Sequence, residues 1–193
     1  MDKIVVKRRE FEIVEILSNN SFKCIYKNKF YLIKKFTPKT QEAGEYTFAL
    51  EKLEHSGIAT PKLKFIDKKT GYSVREFIEG INVLDYVIDH DFPEWIYSQL
   101  FINAYMAKVA GLTINYSLDK WMIKDEKLIY IGEEANKFNE AQDLIKKYLR
   151  IWFNTDELNQ YLHQRGIMFD KKRLKNQYEV NKEIVLMTCK YYR

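Results

Sequence analysis

Between Phe11 and Ile78 the apolar positions come in short strand-like runs; beyond Gly80 most of them follow helical spacing. Phe11–Leu17 mixes apolar and acidic residues as a half-buried strand does, and Ser18-Asn19-Asn20 marks a turn. Phe22–Tyr26 predicts a second strand, Lys27-Asn28-Lys29 a tight turn, and Phe30–Phe36 a third strand that Pro38 ends. Thr40 is a suitable N-cap for a helix running to about His55, with Tyr46, Ala49, Leu50 and Leu53 on one face and Gly57 as its stop. Strands are expected over 62–67 and 72–78, joined by the turn 68–71.

Glu79-Gly80 breaks this pattern. Short and long helices are expected over 83–88 and 95–110, followed by a polar loop and a hairpin. Its apolar strands are Trp121–Ile123 and Leu128–Ile131, with Asp125–Lys127 at the turn. An amphipathic helix is predicted over 143–153, and another is capped by Thr155. Asp170 is expected to cap a short helix and Asn181 the last one, in which Ile184, Val185, Met187 and Thr188 are expected to be buried. The expected architecture is α+β: a β-rich part over 1–79 and an α-rich part over 80–193.

Composition narrows the class. A chain of 193 residues can bury a sizeable core, and 46% apolar residues argue for a globular domain. No apolar run reaches the roughly 20 residues that span a bilayer, and MDKIVVKRRE is too charged for a secretory signal. Cys24 and Cys189 lie in apolar patterns and are expected to be buried free thiols. His55, His90 and His163 have no metal-ligand spacing. A soluble, cytoplasmic protein is expected. Lysine-, isoleucine- and tyrosine-rich usage suggests an AT-rich prokaryotic genome. From Gln160 onward eight lysines and arginines face three acids, so this stretch holds the whole net charge of +5. Such a patch attracts nucleic acid or acidic partners, and a solvated helix face has the same composition.

Four segments, in order, resemble the two-lobed protein-kinase-like fold, especially its small prokaryotic members: RIO kinases, the KEOPS-complex kinase and aminoglycoside phosphotransferases. YLIKK at 31–35 resembles the third-strand lysine motif, with Lys34 as the phosphate-binding lysine. ALEKLEHSGIATPKL at 49–63 resembles the end of the αC helix and the entry to the next strand. SVREFIEG at 73–80 resembles the last strand and hinge of the N-lobe, which implies Glu76 among the nucleotide-binding positions. INYSLDKWMIKDEKLIYIG, within 114–134, resembles the catalytic loop and the strands leading to the DFG motif. The likeness covers roughly 10–134. It implies an antiparallel N-lobe sheet with one helix and a truncated, mostly helical C-lobe. The competing reading is an unrelated α+β domain in which Lys34 is an ordinary strand lysine.

The resemblance implies ATP and Mg2+, yet the positions that would serve them depart from the family. Phosphoryl transfer depends on positioning and charge neutralisation. Ser18–Phe22 contains no glycine to admit phosphates against the backbone. Tyr46 stands where the αC glutamate belongs, with Glu45 beside it and Glu42 one turn earlier as substitutes or as plain helix-surface residues. Asn115 stands at the catalytic aspartate, and an amide cannot act as a general base. Asp119 is the only carboxylate on that loop. Lys120 and Gly132 occupy the two metal-ligand positions, leaving Glu133 and Glu134 as replacement oxygen donors. The expectation is a pseudokinase that acts as a binding or regulatory module, with an unidentified protein partner. The alternatives are a divergent, active phosphotransferase using Lys34, Asp119 and Glu133 or Glu134, and a protein- or RNA-binding module using the basic C-terminal region.

Overall fold

A computed structural model of the chain describes residues 2–192. It divides into two compact units. The N-terminal unit comprises the chain up to His55 together with Thr60–Glu79; the C-terminal unit comprises Ser56–Ala59 and everything from Gly80 onward.

The N-terminal unit is a curled, six-stranded antiparallel sheet with one helix. Its strands are β1 (Lys3–Val6), β2 (Arg9–Ser18), β3 (Ser21–Tyr26) and β4 (Lys29–Lys35), then, after the helix α1 (Gln41–Glu54), β5 (Leu63–Asp67) and β6 (Tyr72–Glu76). They lie in the order β1-β2-β3-β4-β6-β5. β1 is an addition to the strands expected from sequence. It pairs with β2 through Ile4↔Phe11 and Val6↔Arg9, across a two-residue turn with φ of 48° at Lys7 and 65° at Arg8. Both residues adopt the left-handed conformation that hairpin turns of this length need. Neither is a usual turn former, so the strand carries no turn signal.

Alternation puts Ile4, Val6, Phe11, Cys24, Ile33 and Val74 inside the curl, packed against the rings of Phe22, Tyr26, Tyr31, Phe65 and Tyr72. The Phe11 and Phe65 rings lie 6.4 Å apart although β2 and β5 are far apart in sheet order, which is how the sheet closes on its core. Lys7 and Arg9 cap the seam, each about 5 Å from the Phe65 ring centre. Thr40 caps α1 by accepting from the Ala43 N–H at 3.1 Å. Ala43, Thr47, Ala49, Leu50 and Leu53 form its buried stripe. Each of the two leucines contributes about 1.5–3 kcal/mol by burial.

In the C-terminal unit, β7 (Ile81–Asn82) leads into α2 (Val83–Asp89) and α3 (Glu94–Val109). A short strand β8 (Leu112–Thr113) precedes the hairpin β9 (Trp121–Lys124) and β10 (Lys127–Tyr130), and β11 (Asn136–Lys137) pairs back onto β8. β7 adds to β9, making a three-stranded sheet. Gly80 is required where this begins, because a Cβ there would lie 2.3 Å from the Ile123 carbonyl oxygen.

The expected helix over 143–153 is instead a wide π turn over Leu144–Tyr148 followed by a tight 3₁₀ turn over Leu149–Trp152. That change of winding carries Leu144, Leu149 and Trp152 into the core, where the Trp152 indole donates to the Tyr116 carbonyl at 2.9 Å. Trp121 is likewise buried, while Trp95 is only half-buried. The remaining helices are α4 (Asp156–His163) and α5 (Gln177–Tyr191).

α5 starts earlier than Asn181. Asn176 caps it, with the reciprocal Glu179 contact of a capping box. Val180 faces inward, while Val185 and Cys189 are exposed, against the expectation of burial for both: at 100° per residue Val185 lies well off the face that Val180 buries. Ile184, Met187 and Thr188 are only half-buried. Among the described residues no helix is long and apolar enough to cross a membrane.

Candidate functional site

The residues singled out in the sequence are divided between the two units. In the N-terminal unit the last residues of β4 and the start of α1 border a cavity of about 610 Å3, lined by Lys34, Lys35, Glu42 and Tyr46 among others. The Lys34 ammonium lies 4.7 Å from the centre of the Tyr46 ring. Tyr46 is held by its hydroxyl, 2.6 Å from that of Ser73 on β6, and its ring packs against Phe36. An aromatic face thus stands beside the lysine at the position where the resemblance implies a carboxylate.

Glu42 and Glu45 behave differently. Glu42 lines the same cavity as Lys34. Glu45 is exposed and accepts from the Gln41 side chain at 2.8 Å. Glu76 ends β6, opposite Tyr31 on β4. Lys23 shares the sheet face of Lys34, because Ser21 pairs with Lys34 and side chains alternate along β3. Its ammonium sits between the rings of Phe30 and Phe77, at 4.5 and 4.6 Å, and forms an ion pair with Glu79 at 3.1 Å.

In the C-terminal unit the Tyr130 side chain organises the loop that holds Asn115. The Asn115 backbone N–H donates to the Tyr130 hydroxyl at 3.3 Å, which donates in turn to the Glu134 carbonyl at 3.1 Å. Asn115 Oδ1 accepts from the Ser117 N–H at 3.0 Å, and its amide nitrogen reaches the Glu134 carboxylate only weakly, at 3.5 Å. A Cβ at Gly132 would lie 2.3 Å from both Cζ and the hydroxyl oxygen of Tyr130. No side chain fits there while the ring stays.

Neither a known family model nor a curated protein matches this chain. The chemistry must therefore be read from the side chains themselves. Asp119, in the turn before β9, is one-third exposed and faces two partners. Its Oδ1 accepts from the Tyr161 hydroxyl at 3.0 Å, and its Oδ2 meets the Lys120 ammonium at 3.0 Å. Burial alone would raise its pKa, but the hydrogen bonds from Lys120 and Tyr161 outweigh it and hold the carboxyl below its ordinary value. Lys120 is thus committed to Asp119. The Arg165 guanidinium stacks 3.6 Å over the Tyr161 ring, and Asn82 steadies the turn by donating to the Asp119 carbonyl at 3.2 Å.

Asn115 is brought to Glu134, and Asp119 to Lys120 and Tyr161. Among the described residues no three or more His, Cys, Asp or Glu side chains gather into one cluster. Glu133 and Glu134 follow a glycine that must stay small, and the nearby lysine is paired. Sequence reasoning placed Tyr46 where a glutamate would stand, but it gave no role to Tyr130, within the second hairpin strand, or to Tyr161; no local spacing marks their reach to Asn115 and Asp119.

Proposed function

We propose that the chain is a two-lobed, protein-kinase-like protein without Mg2+-dependent phosphotransfer, acting as a binding or regulatory module. The observation that carries this reading is the Tyr130 ring over Gly132. The position that would carry the metal-binding aspartate holds a glycine because the volume its side chain would need is filled. Two further features support it. Asn115, at the place of the catalytic base, is an amide held by backbone contacts, and Lys120 is neutralised by Asp119 rather than standing aside for a cation. On the Lys34 face of the sheet, Lys23 is held between Phe30 and Phe77 and paired with Glu79.

The basic C-terminal region lends less support to nucleic-acid binding than its composition suggests. Arg173, Lys175 and Lys190 are paired with Asp91, Glu183 and Glu94, and Arg165 is stacked on Tyr161.

Calorimetry with ATP, with and without Mg2+, and a transfer assay on generic protein substrates test the proposal, with Lys34→Ala as the control. The expected result is no metal-enhanced ATP binding and no turnover above that of Lys34→Ala. Metal-dependent turnover lost in Lys34→Ala and in Asp119→Asn would establish the divergent phosphotransferase instead.

A further inference from the structure

The long helix α3 buries one face and leaves a second apolar face in solvent. Ile96, Leu100, Ala104 and Ala107 turn into the C-terminal unit, yet Ile102, Tyr105 and Val109 are 48%, 43% and 66% exposed. Trp95 and Ser98, both half-buried, continue the same line toward the start of the helix. The positions 95, 98, 102, 105 and 109 alternate steps of three and four residues, the a/d repeat of a seam between two helices. At 100° per residue they fall within an arc of about 80°. Apolar residues scattered singly over a surface need no explanation, whereas a continuous line along a whole helix marks a contact surface.

Both flanks of the seam are braced by the C-terminal unit itself. On one flank the Gln99 side chain donates to the Glu126 carbonyl at 2.8 Å and accepts from the Leu128 N–H at 2.7 Å. On the other, Phe101 stacks on Tyr191 with ring centres 6.4 Å apart. Glu94, on that same flank, accepts from Lys190 and from the Tyr191 hydroxyl, and both contacts fall on Oε1. Lys108 stands on this flank two heptads further along, and both Glu94 and Lys108 are exposed.

These two charges select an orientation. A second α3 lying parallel would set Glu94 beside Glu94 and Lys108 beside Lys108. Lying antiparallel, it brings Glu94 of each copy to Lys108 of the other, with Oε2 placed to accept, and it also opposes the two helix dipoles. A two-fold axis near position 100 then sets Trp95 of one copy against Tyr105 of the other, and Ser98 against Ile102, each twice. The branched side chain meets the smallest residue of the seam, and an aromatic pair closes each end.

We propose that α3 is the interface of an antiparallel homodimer, in which the seams of two copies of this chain pair across a two-fold axis. Such a contact has to be self-complementary, and the seam is so in both size and charge. It is short beside the roughly 800 Å2 per partner of a standard stable interface. The dimer should therefore be weak, with a dissociation constant on the order of tens of micromolar. The proposal is independent of whether the chain transfers phosphate.

Sedimentation velocity of the full chain, from low micromolar to half-millimolar concentration, tests it. A monomer–dimer equilibrium is expected. Ile102→Glu, Glu94→Lys and Lys108→Glu should each raise the dissociation constant by about tenfold or more. An equimolar mixture of Glu94→Lys with Lys108→Glu should regain the dimer, because only in that mixed pair do both ends again join opposite charges. Circular dichroism identifies any variant that fails to fold, and the two charge variants, at exposed positions, keep the test decisive if Ile102→Glu does fail. A monomer throughout the range would overturn the proposal and leave the seam to a helix of a different protein. A dimer undisturbed by Ile102→Glu would overturn it as well. So would a mixture of the two charge variants that stays monomeric where the natural chain dimerises.

Discussion

Tyr130 and Gly132 constrain each other. The glycine is the only residue whose side chain leaves the ring in place, and the ring's hydroxyl links the backbone of Asn115 to that of Glu134. Gly132→Ala should therefore cost about 1–3 kcal/mol through overpacking, read from urea denaturation. In a Tyr130→Leu background the same substitution should cost less, so the double-mutant cycle should show strong coupling. Strict additivity would mean that the ring simply moves away.

Asp119 gives a second residue-scale prediction. Its folded pKa lies below the ordinary carboxyl value, so its contribution to stability is present above the ordinary carboxyl range and is lost as pH falls through the folded value. Tyr161→Phe removes one of the two hydrogen bonds. It should raise the Asp119 titration midpoint, seen by NMR, and cost about 0.5–1.5 kcal/mol at neutral pH. An unmoved midpoint would mean that Lys120 alone sets the carboxyl's charge. Of these pairings, the sequence shows only that Asp119 stands beside Lys120. The reach of Tyr161 back to that turn depends on tertiary packing, which no local spacing encodes.

Arg173 ties two elements together at the scale of the secondary structure. Its guanidinium donates to the Val87 and Ile88 carbonyls near the end of α2 and to Asp91, and lies over the Phe169 ring. Asp91 in turn accepts from Asn154 at 2.8 Å; that bond and the one from Arg173 lower its pKa against the opposing effect of burial. Arg173→Ala should cost about 1–3 kcal/mol, and Arg173→Lys should recover little of it, because a point charge cannot reproduce the planar fork. Lys190→Ala, which breaks an exposed pair with Glu94, should leave the denaturation midpoint unchanged. Chemical denaturation of the three variants checks the ranking.

Elements were legible where local signals agreed with packing. Thr40, Thr155 and Asp170 all cap where their residue types suggest. The reading failed where two signals competed. Asn176 and Asn181 are both plausible caps, and only the reciprocal contact of Glu179 decides between them. The apolar spacing over 144–152 matches an α-helix closely enough that a π turn followed by a 3₁₀ turn leaves no separate trace in sequence. β1 went unseen because its turn is built from Lys7 and Arg8.

At the scale of the molecule, the cations from Gln160 onward divide: Arg173, Lys175 and Lys190 meet carboxylates, while Lys171, Lys172 and Lys182 are exposed. With Arg173, Lys175 and Lys190 paired, the chain should form no lasting complex with generic RNA or DNA at physiological salt, where non-specific binding depends on unpaired cations replacing counterions. Filter binding at low and physiological salt checks this, and a complex that persists at the higher salt would favour the nucleic-acid reading.

The division into two units also sorts the chain's optical and chemical reporters. All three tryptophans, Trp95, Trp121 and Trp152, belong to the C-terminal unit, so intrinsic indole fluorescence reports on that unit alone. The N-terminal unit has its own silent probe in Cys24, fully buried inside the curled sheet with its thiol pushed up to about 11 by that burial. A thiol reagent should label exposed Cys189 at once and Cys24 only when the sheet opens. Comparing the fluorescence transition with the rate of Cys24 labelling across denaturant concentrations would time the opening of each unit separately, in the natural chain and without an added dye.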